Sequence, residues 1–236
     1  YDVDKNRSLN TIGEVIEQDF IFVCLPTPMR MDGSCDLSIL DRFFKVLPDN
    51  LKGIFVIKST IPIGTTRKYT ERHNVIHNPE FLTARNAVED FAKAERNIVG
   101  GEKELCVDFI KFFDKCFPKI RSVFVSSDES EAIKYFSNTF LAYKVAYFNK
   151  VHDLCKAVGM NYNKVRHGIT ADSRIGKSHT QVPGIDMDRG FGGTCLPKDI
   201  NSLINQMESH GVNADILKAV WEYNLNIRTV FDWPVT

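Results

Sequence analysis

Residues 190–199, GFGGTCLPKD, set one cysteine between a run of glycines and a Pro-Lys-Asp that leads into a helical pattern. Glycines let the main chain approach a ligand closely and turn its N–H groups toward it. Lys198 and Asp199 add a cation and a potential base within one turn of Cys195. A nearby cation favours the thiolate, the form that attacks a carbonyl carbon. The same ten residues also suit a structural cysteine beside a glycine turn. Lys134 and Asn138 are spaced i, i+4 in a largely apolar segment, so they share one helix face, as a catalytic pair or a solvated one. Arg174, in ADSRIG, suits bidentate recognition of phosphate or hydroxyl groups, or plain surface decoration. Asp2, in YDVDKNR, is an acidic residue of the kind that follows a dinucleotide fingerprint and meets ribose hydroxyls. No GxGxxG occurs in the chain.

The elements that must carry these residues change character part-way along. Apolar runs at 19–28, 53–60, 74–81, 97–101 and 120–127 read as short buried strands. Between them, 36–48 has helical spacing with Asp36 as N-cap, and a second helix spans about 102–116. Strands alternating with helices predict an α/β, Rossmann-like, doubly wound parallel sheet over 1–127. Thr27, Thr60 and Glu80 fall just past strand ends, where such sheets take ligands. From Asp128 some thirty residues run without Pro or Gly, enough for roughly 45 Å of helix. Ile133, Phe136, Phe140, Leu141, Val145, Phe148, Val151 and Leu154 give it an apolar face wide enough for a core and a dimer seam. A short helix closed by Gly168, a long loop over 171–196, and helices near 197–210 and 213–230 complete an all-α domain over 128–236.

Composition narrows the functional classes. Thirty basic residues balance thirty acidic ones in 236, which gives no bulk attraction to nucleic acid or membrane. No apolar run approaches the roughly 18 residues of a membrane span. Six cysteines without CxxC pairs point to reduced thiols in a cytoplasmic protein and away from a metal site. His152, His167 and His210 lack metal-ligand spacing and read as solvated or capping residues.

In order, YDVDKNR, VCLPTP with DGSCDLS, IKSTIPIGTT, HNPEFL with NAVEDF, NIVGG, EAIKYFSNTFLAYKV, GITADSRIG and GFGGTCLPKD resemble the UDP-glucose/GDP-mannose dehydrogenase family across nearly the whole chain. The resemblance implies oxidation of a nucleotide-sugar C6 alcohol to a carboxylate with two NAD⁺, in polysaccharide biosynthesis. UDP-glucose is the expected substrate, with GDP-mannose or a UDP-N-acetylhexosamine as alternatives. It implies that Cys195 traps the aldehyde as a thiohemiacetal and then carries a thioester. Lys134 and Asn138 would stabilise the oxyanion, and Asp199, through water and with Thr60, would handle the first proton. Glu80 would position the hydrolytic water. Asp2 and Arg7 would meet the adenosine ribose, and Thr27 and Thr60 the rest of the NAD. Phe81, Leu82, Phe191, Gly192 and Gly193 would contact the sugar nucleotide together with Lys134. Arg174 would reach the substrate of the neighbouring subunit in a homodimer formed through the long helix.

Several features depart from the family pattern. YDVD reads as the end of a strand, so the preceding strand and its glycine-rich turn are expected to be missing. The link from Asn10 to Asp19 is short, as in a compact variant, and the sequence stops at DWPVT before the family's second α/β domain, which is expected to be either cropped here or absent from a short form. Ala84 stands where an acidic residue is often found. Two-electron β-hydroxyacid dehydrogenases share the Lys and Asn on a long helix, but they have no use for the thiol of GGTCLPKD. A catalytically degenerate dimeric binding protein is the alternative from outside enzymology.

Overall fold

Four-residue runs such as Ile54–Ile57 are apolar at every position, which suits a strand covered on both faces. In the computed structural model, which describes residues 1–233, five strands form one sheet. They are β1 (Phe20–Val23), β2 (Ile54–Ile57), β3 (Val75–His77), β4 (Arg96–Gly100) and β5 (Arg121–Val125), hydrogen-bonded in that order. β1–β2, β2–β3 and β4–β5 are parallel, with Phe20 opposite Ile54 and Ile98 opposite Val123. The β3–β4 pair, His77 opposite Gly100, is antiparallel, so the sheet is mixed and not wholly parallel as its rhythm predicts. A parallel neighbour would need a crossover that returns the chain along the sheet. Residues 78–95 contain only a 3₁₀ turn (Ala84–Asn86) and the six-residue α4 (Ala87–Ala92), too little to do so. Pro79-Glu80-Phe81-Leu82 therefore stays at the carboxyl ends of β1–β3, where Lys58 and Thr60 also lie.

Helices cover both faces of the sheet. On one, α2 (Ser38–Val46) and α3 (Thr65–Thr70) bring Leu40, Phe44 and Tyr69 against Ile21, Phe55 and Ile57. On the other, α5 (Lys103–Cys116) packs Cys106, Phe109 and Phe113 on Val56, Ile76 and Val99. Two local expectations are corrected. α2 starts after Leu37, because the Asp36 carboxylate accepts the Ser38 N–H (2.9 Å) and turns the chain before the helix. Asp2 does not end a strand: its carboxylate accepts the Asp4 N–H (2.9 Å), and Asp4 accepts the Asn6 N–H (3.0 Å), so the aspartates fold 2–6 into turns. A short α1 (Ile12–Ile16) follows, started by a capping box between Thr11 and Glu14.

α6 (Ser127–Ala157) is a single helix of 31 residues. The chain divides into two compact units, one of residues 1–27 and 36–134, the other of 28–35 and everything from Tyr135 onward. The second unit adds α7 (Tyr162–Thr170), α8 (Leu196–Ser209) and α9 (Asp215–Ile227). Gly168 lies inside α7 and does not close it; the Ala171 N–H bonds back to His167 instead. Ala142 and Ala146 on α6 are small enough for Phe191, Ile200 and Val220 to close over them as this unit's core.

Gly100 ends β4 where the first turn of α6 crosses it, and a methyl group there would meet Ser130 Cβ and lie 2.6 Å from the Ser126 carbonyl oxygen. Both belong to fixed helix backbone or to side-chain stem, so neither yields cheaply. Gly100→Ala is expected to destabilise the protein by about 2 kcal/mol, read as a lower urea midpoint at unchanged slope.

Candidate active site

In the first unit, polar groups gather at the carboxyl edge of the sheet. Lys58 leaves β2 with its N–H bonded to the Val23 carbonyl, and its ammonium pairs with the Glu80 carboxylate. The same ammonium donates to Asn78 Oδ1 at 2.5 Å, and Asn78 Nδ2 donates to Asn97 Oδ1 (2.7 Å) and to the Ile98 carbonyl (2.6 Å). Burial pushes the Lys58 ammonium below the usual lysine value, with the Glu80 carboxylate opposing it. Lys134, buried on α6, donates to the main-chain carbonyl of Glu80 at 2.5 Å and lies 5.2 Å from the centre of the Phe81 ring. Arg96 lies 4.5 Å from that ring. A cavity of about 430 Å³ is lined by Lys58, Glu80, Phe81, Leu82, Arg96 and Phe91, among others.

Two buried groups fix the loops around this edge. His77 is fully buried, and burial holds its imidazole down at about 3, so it is neutral. Nε2 faces the Ser59 carbonyl (3.2 Å) and so carries the proton, while Nδ1 faces Ser130 Oγ (2.9 Å). Glu131 on α6 accepts the N–H of Gly64 (2.5 Å) and both the N–H (2.7 Å) and hydroxyl (2.6 Å) of Thr66. Burial outweighs those three bonds and pushes its carboxyl up to about 7.

In the second unit, Cys195 is the exposed N-cap of α8, with its carbonyl accepting the Asp199 N–H (2.9 Å). Unpaired N–H groups of a first helical turn favour negative charge beside them. Asp199 is wholly buried and bonded on both sides, to Lys198 Nζ and to Asn138 Nδ2, each at 2.5 Å. Burial pushes the Lys198 ammonium down, but the Asp199 carboxylate outweighs it and leaves it above the usual lysine value. The glycine-rich loop is held by Asn224, whose amide accepts the Phe191 N–H (2.7 Å) and donates to the Phe191 carbonyl (3.0 Å). Gly190 has φ +69°, and a side chain there would run into Asn224 Oδ1. Gly193 donates its N–H to Asp232 (2.9 Å), and Gly192 lies against the Arg228 guanidinium.

The predicted residues thus fall into groups. Lys134 meets Glu80 and Phe81, with Leu82 on the same cavity. Thr27, buried past β1, donates to the Thr60 carbonyl past β2 (2.8 Å). Asn138 meets Asp199. Asp2 and Arg7 contact Asp4 within their own turn, and Arg174 forms an exposed pair with Asp172. Lys58, His77, Asn78 and Glu131 escaped sequence reading. All four lie inside segments already singled out: Lys58 in IKSTIPIGTT, His77 and Asn78 in HNPEFL, and Glu131 at the start of EAIKYFSNTFLAYKV.

Residues 4–116 match the NAD binding domain of the UDP-glucose/GDP-mannose dehydrogenase family, and residues 128–226 match its central domain. The chain belongs to this family. UDP-glucose 6-dehydrogenase of Rickettsia conorii is 37% identical over 223 residues, covering 89% of this chain and 50% of the relative. UDP-glucose 6-dehydrogenase TuaD of Bacillus subtilis is 33% identical over 220 residues, covering 87% and 46%. The UDP-glucose dehydrogenase structure from Pyrobaculum islandicum superposes with a TM-score of 0.80 at 32% identity, over 90% of this chain and 51% of the other. The chain spans about half the length of the relatives it matches. No helix among the described residues is long and apolar enough to cross a membrane.

The donor set of the family member's first unit fits a dinucleotide. Thr27 and Thr60 stand past the carboxyl ends of two adjacent parallel strands, the position at which α/β sheets take NAD.

Glu131 makes stability depend on pH. A carboxyl raised in the folded state stabilises fully below its unfolded value near 4.5, and that contribution is lost as pH rises through about 7. Urea unfolding at pH 5 and pH 7.5 should show the parent losing up to about 3 kcal/mol relative to Glu131→Gln over this interval.

Proposed function

We propose that the protein oxidises the C6 alcohol of a nucleotide sugar to the carboxylate with NAD, converting UDP-glucose to UDP-glucuronate. The observation that carries this reading is the first turn of α8. A cysteine there caps the helix, and a buried Asp199 four residues on is bound to Lys198 and Asn138. UDP-glucose is favoured over GDP-mannose and the UDP-N-acetylhexosamines by relatives that are 37% and 33% identical over the matched segment and carry UDP-glucose in their names.

Bound NAD supplies the hydride acceptor for both oxidations. The chain's own groups do the rest. Asp199 takes up the alcohol proton through water, with the Thr60 hydroxyl. Cys195 Sγ adds to the aldehyde carbon and holds it as a thiohemiacetal, then at the acid level as a thioester, which keeps the aldehyde from escaping. Lys134 and Asn138 stabilise the oxyanion that forms each time the carbon becomes tetrahedral. Glu80 positions the water that hydrolyses the thioester. Phe81, Leu82, Phe191, Gly192 and Gly193 hold the sugar nucleotide, and Asp2, Arg7 and Thr27 the cofactor. The unsubstituted protein is expected to form two NADH per UDP-glucose. Cys195→Ser should stop at the aldehyde level; uronic acid formed by it at the normal rate would refute the mechanism.

The reading includes a homodimer, with Arg174 serving the substrate of the other subunit. α6 supports it with a stripe of exposed apolar side chains, Phe136 (51% exposed), Phe140 (66%), Tyr143 (44%), Tyr147 (53%) and Leu154 (61%). Their spacing of four, three, four and seven residues makes one seam suited to a second copy of the same helix. Light scattering should give twice the chain mass for the parent and a monomer for the Phe140→Glu, Tyr147→Glu double variant.

A further inference from the structure

The segment STIPIGTT, from Ser59 to Thr66, starts past the end of β2, where the Thr60 carbonyl receives the Thr27 hydroxyl. Little in its own sequence fixes its path. Ile61 is buried in the core on that face, but apolar packing is non-directional. α3, which the segment enters, has only six residues, opens on Gly64 at φ +89° and has no side-chain cap. So short a helix is marginal alone, and its first N–H groups need acceptors. Thr65 turns its hydroxyl (2.6 Å) and its N–H (3.1 Å) to the Pro62 carbonyl, which closes the turn on itself and ties it to nothing else.

The directional contacts come from the start of α6. Glu131, wholly buried, accepts the Gly64 N–H on Oε2 (2.5 Å) and the Thr66 N–H (2.7 Å) and hydroxyl (2.6 Å) on Oε1. Bonds to a carboxylate are the short, strong kind, and here both oxygens serve donors two residues apart. Ser130, one residue earlier, faces His77, whose Nε2 donates to the Ser59 carbonyl (3.2 Å). The segment is thus referred to α6 at both ends, and Thr60 lies between. The ion pair of Arg67 with Asp128 (3.0 Å) also joins α3 to α6, but its guanidinium is exposed and such pairs contribute little. We infer that Glu131 is a positioning residue for the cofactor, whose carboxylate sets where Thr60 and the turn after it meet NAD. This rests on the placing of NAD at Thr27 and Thr60 proposed above. Glu131 acts through Gly64 and Thr66, so losing it weakens NAD binding, while saturating NAD draws the segment back and restores the rate.

The test titrates the natural full-length protein with NADH, read by nucleotide fluorescence, and follows steady-state oxidation of UDP-glucose. Both are run at about pH 8, above the value of about 7 to which burial lifts the carboxyl. Glu131→Gln keeps the shape of the side chain but turns an amide N–H₂ toward a main-chain donor. The dissociation constant for NADH and KM for NAD are expected to rise about tenfold, with KM for UDP-glucose and kcat at saturating NAD within about threefold. Thr66→Ser, which keeps both donors, should bind NADH within about twofold of the parent. Thr66→Val, which removes the hydroxyl alone, should fall between parent and Glu131→Gln, and it carries the test where the Gln variant does not fold. Arg67→Ala should leave NADH binding within about twofold. NADH binding unchanged in Glu131→Gln and Thr66→Val, an equal rise in both KM values, or a loss in Arg67→Ala as large as in Glu131→Gln would overturn the role of Glu131 alone. A parent whose NADH binding is indifferent to Thr27→Ala would overturn the placing of NAD at this edge, and this inference with it.

Discussion

The bond from Lys134 Nζ to the Glu80 carbonyl joins the long helix to the carboxyl edge of the sheet, and much of the first unit is arranged so that it can form. A buried ammonium without an acceptor would give up its proton or pull the helix away. The acceptor is presented by a segment that stays at that edge because β4 pairs antiparallel with β3. Glu131 and Ser130, on the turn of α6 before Lys134, fasten the same helix to the loop at Gly64–Thr66 and to His77. Lys58 and Asn78 fix the segment from the sheet side. Helix and strand ends are thus located by charged and polar contacts, while Phe55, Ile57 and Val99 exclude water beneath them.

The second unit solves a related problem with the signs exchanged. Asp199 is a buried carboxylate, and Lys198 and Asn138 compensate it at equal distance. Pairing a buried charge with both an ion and an amide fixes its orientation, which a lone ion pair does not. Cys195 stays exposed at the same helix end while Asp199 four residues on is buried, so that under the proposed chemistry the thiol is open and the carboxylate is not. That separation suits covalent chemistry, in which the nucleophile must reach a substrate but its surroundings must not reorganise.

Sequence alone revealed the alternation of strands and helices, the length of α6 and the residues with recognisable motif context. Apolar periodicity and the absence of helix breakers are local properties, so Ile54–Ile57 and the run from Ser127 to Ala157 declared themselves. The antiparallel β3–β4 junction did not, because strand direction depends on whether a link can span the sheet. Lys58 was passed over because a lysine at a strand end reads as solvated until Asn78 and Glu80 are seen around it. Glu131 was one acid among several in DESEA, and only burial distinguishes it from Asp128 and Glu129. Asp2 was placed at a strand end by analogy, whereas Asx hydrogen bonds to Asp4 decide its local geometry.

The oxygen that holds Lys134 belongs to a peptide bond, and no codon specifies it. Any residue at position 80 supplies the same carbonyl, so substitution there alters the carboxylate chemistry and leaves the anchor in place. What the anchor does depend on is the count of residues between the end of β3 and Glu80, since one more or one fewer would turn the carbonyl away from the helix. Selection on this contact therefore falls on segment length. In a family tree it would be recorded as an absence of insertions and deletions between His77 and Glu80, a signature that a scan of residue identities would pass over.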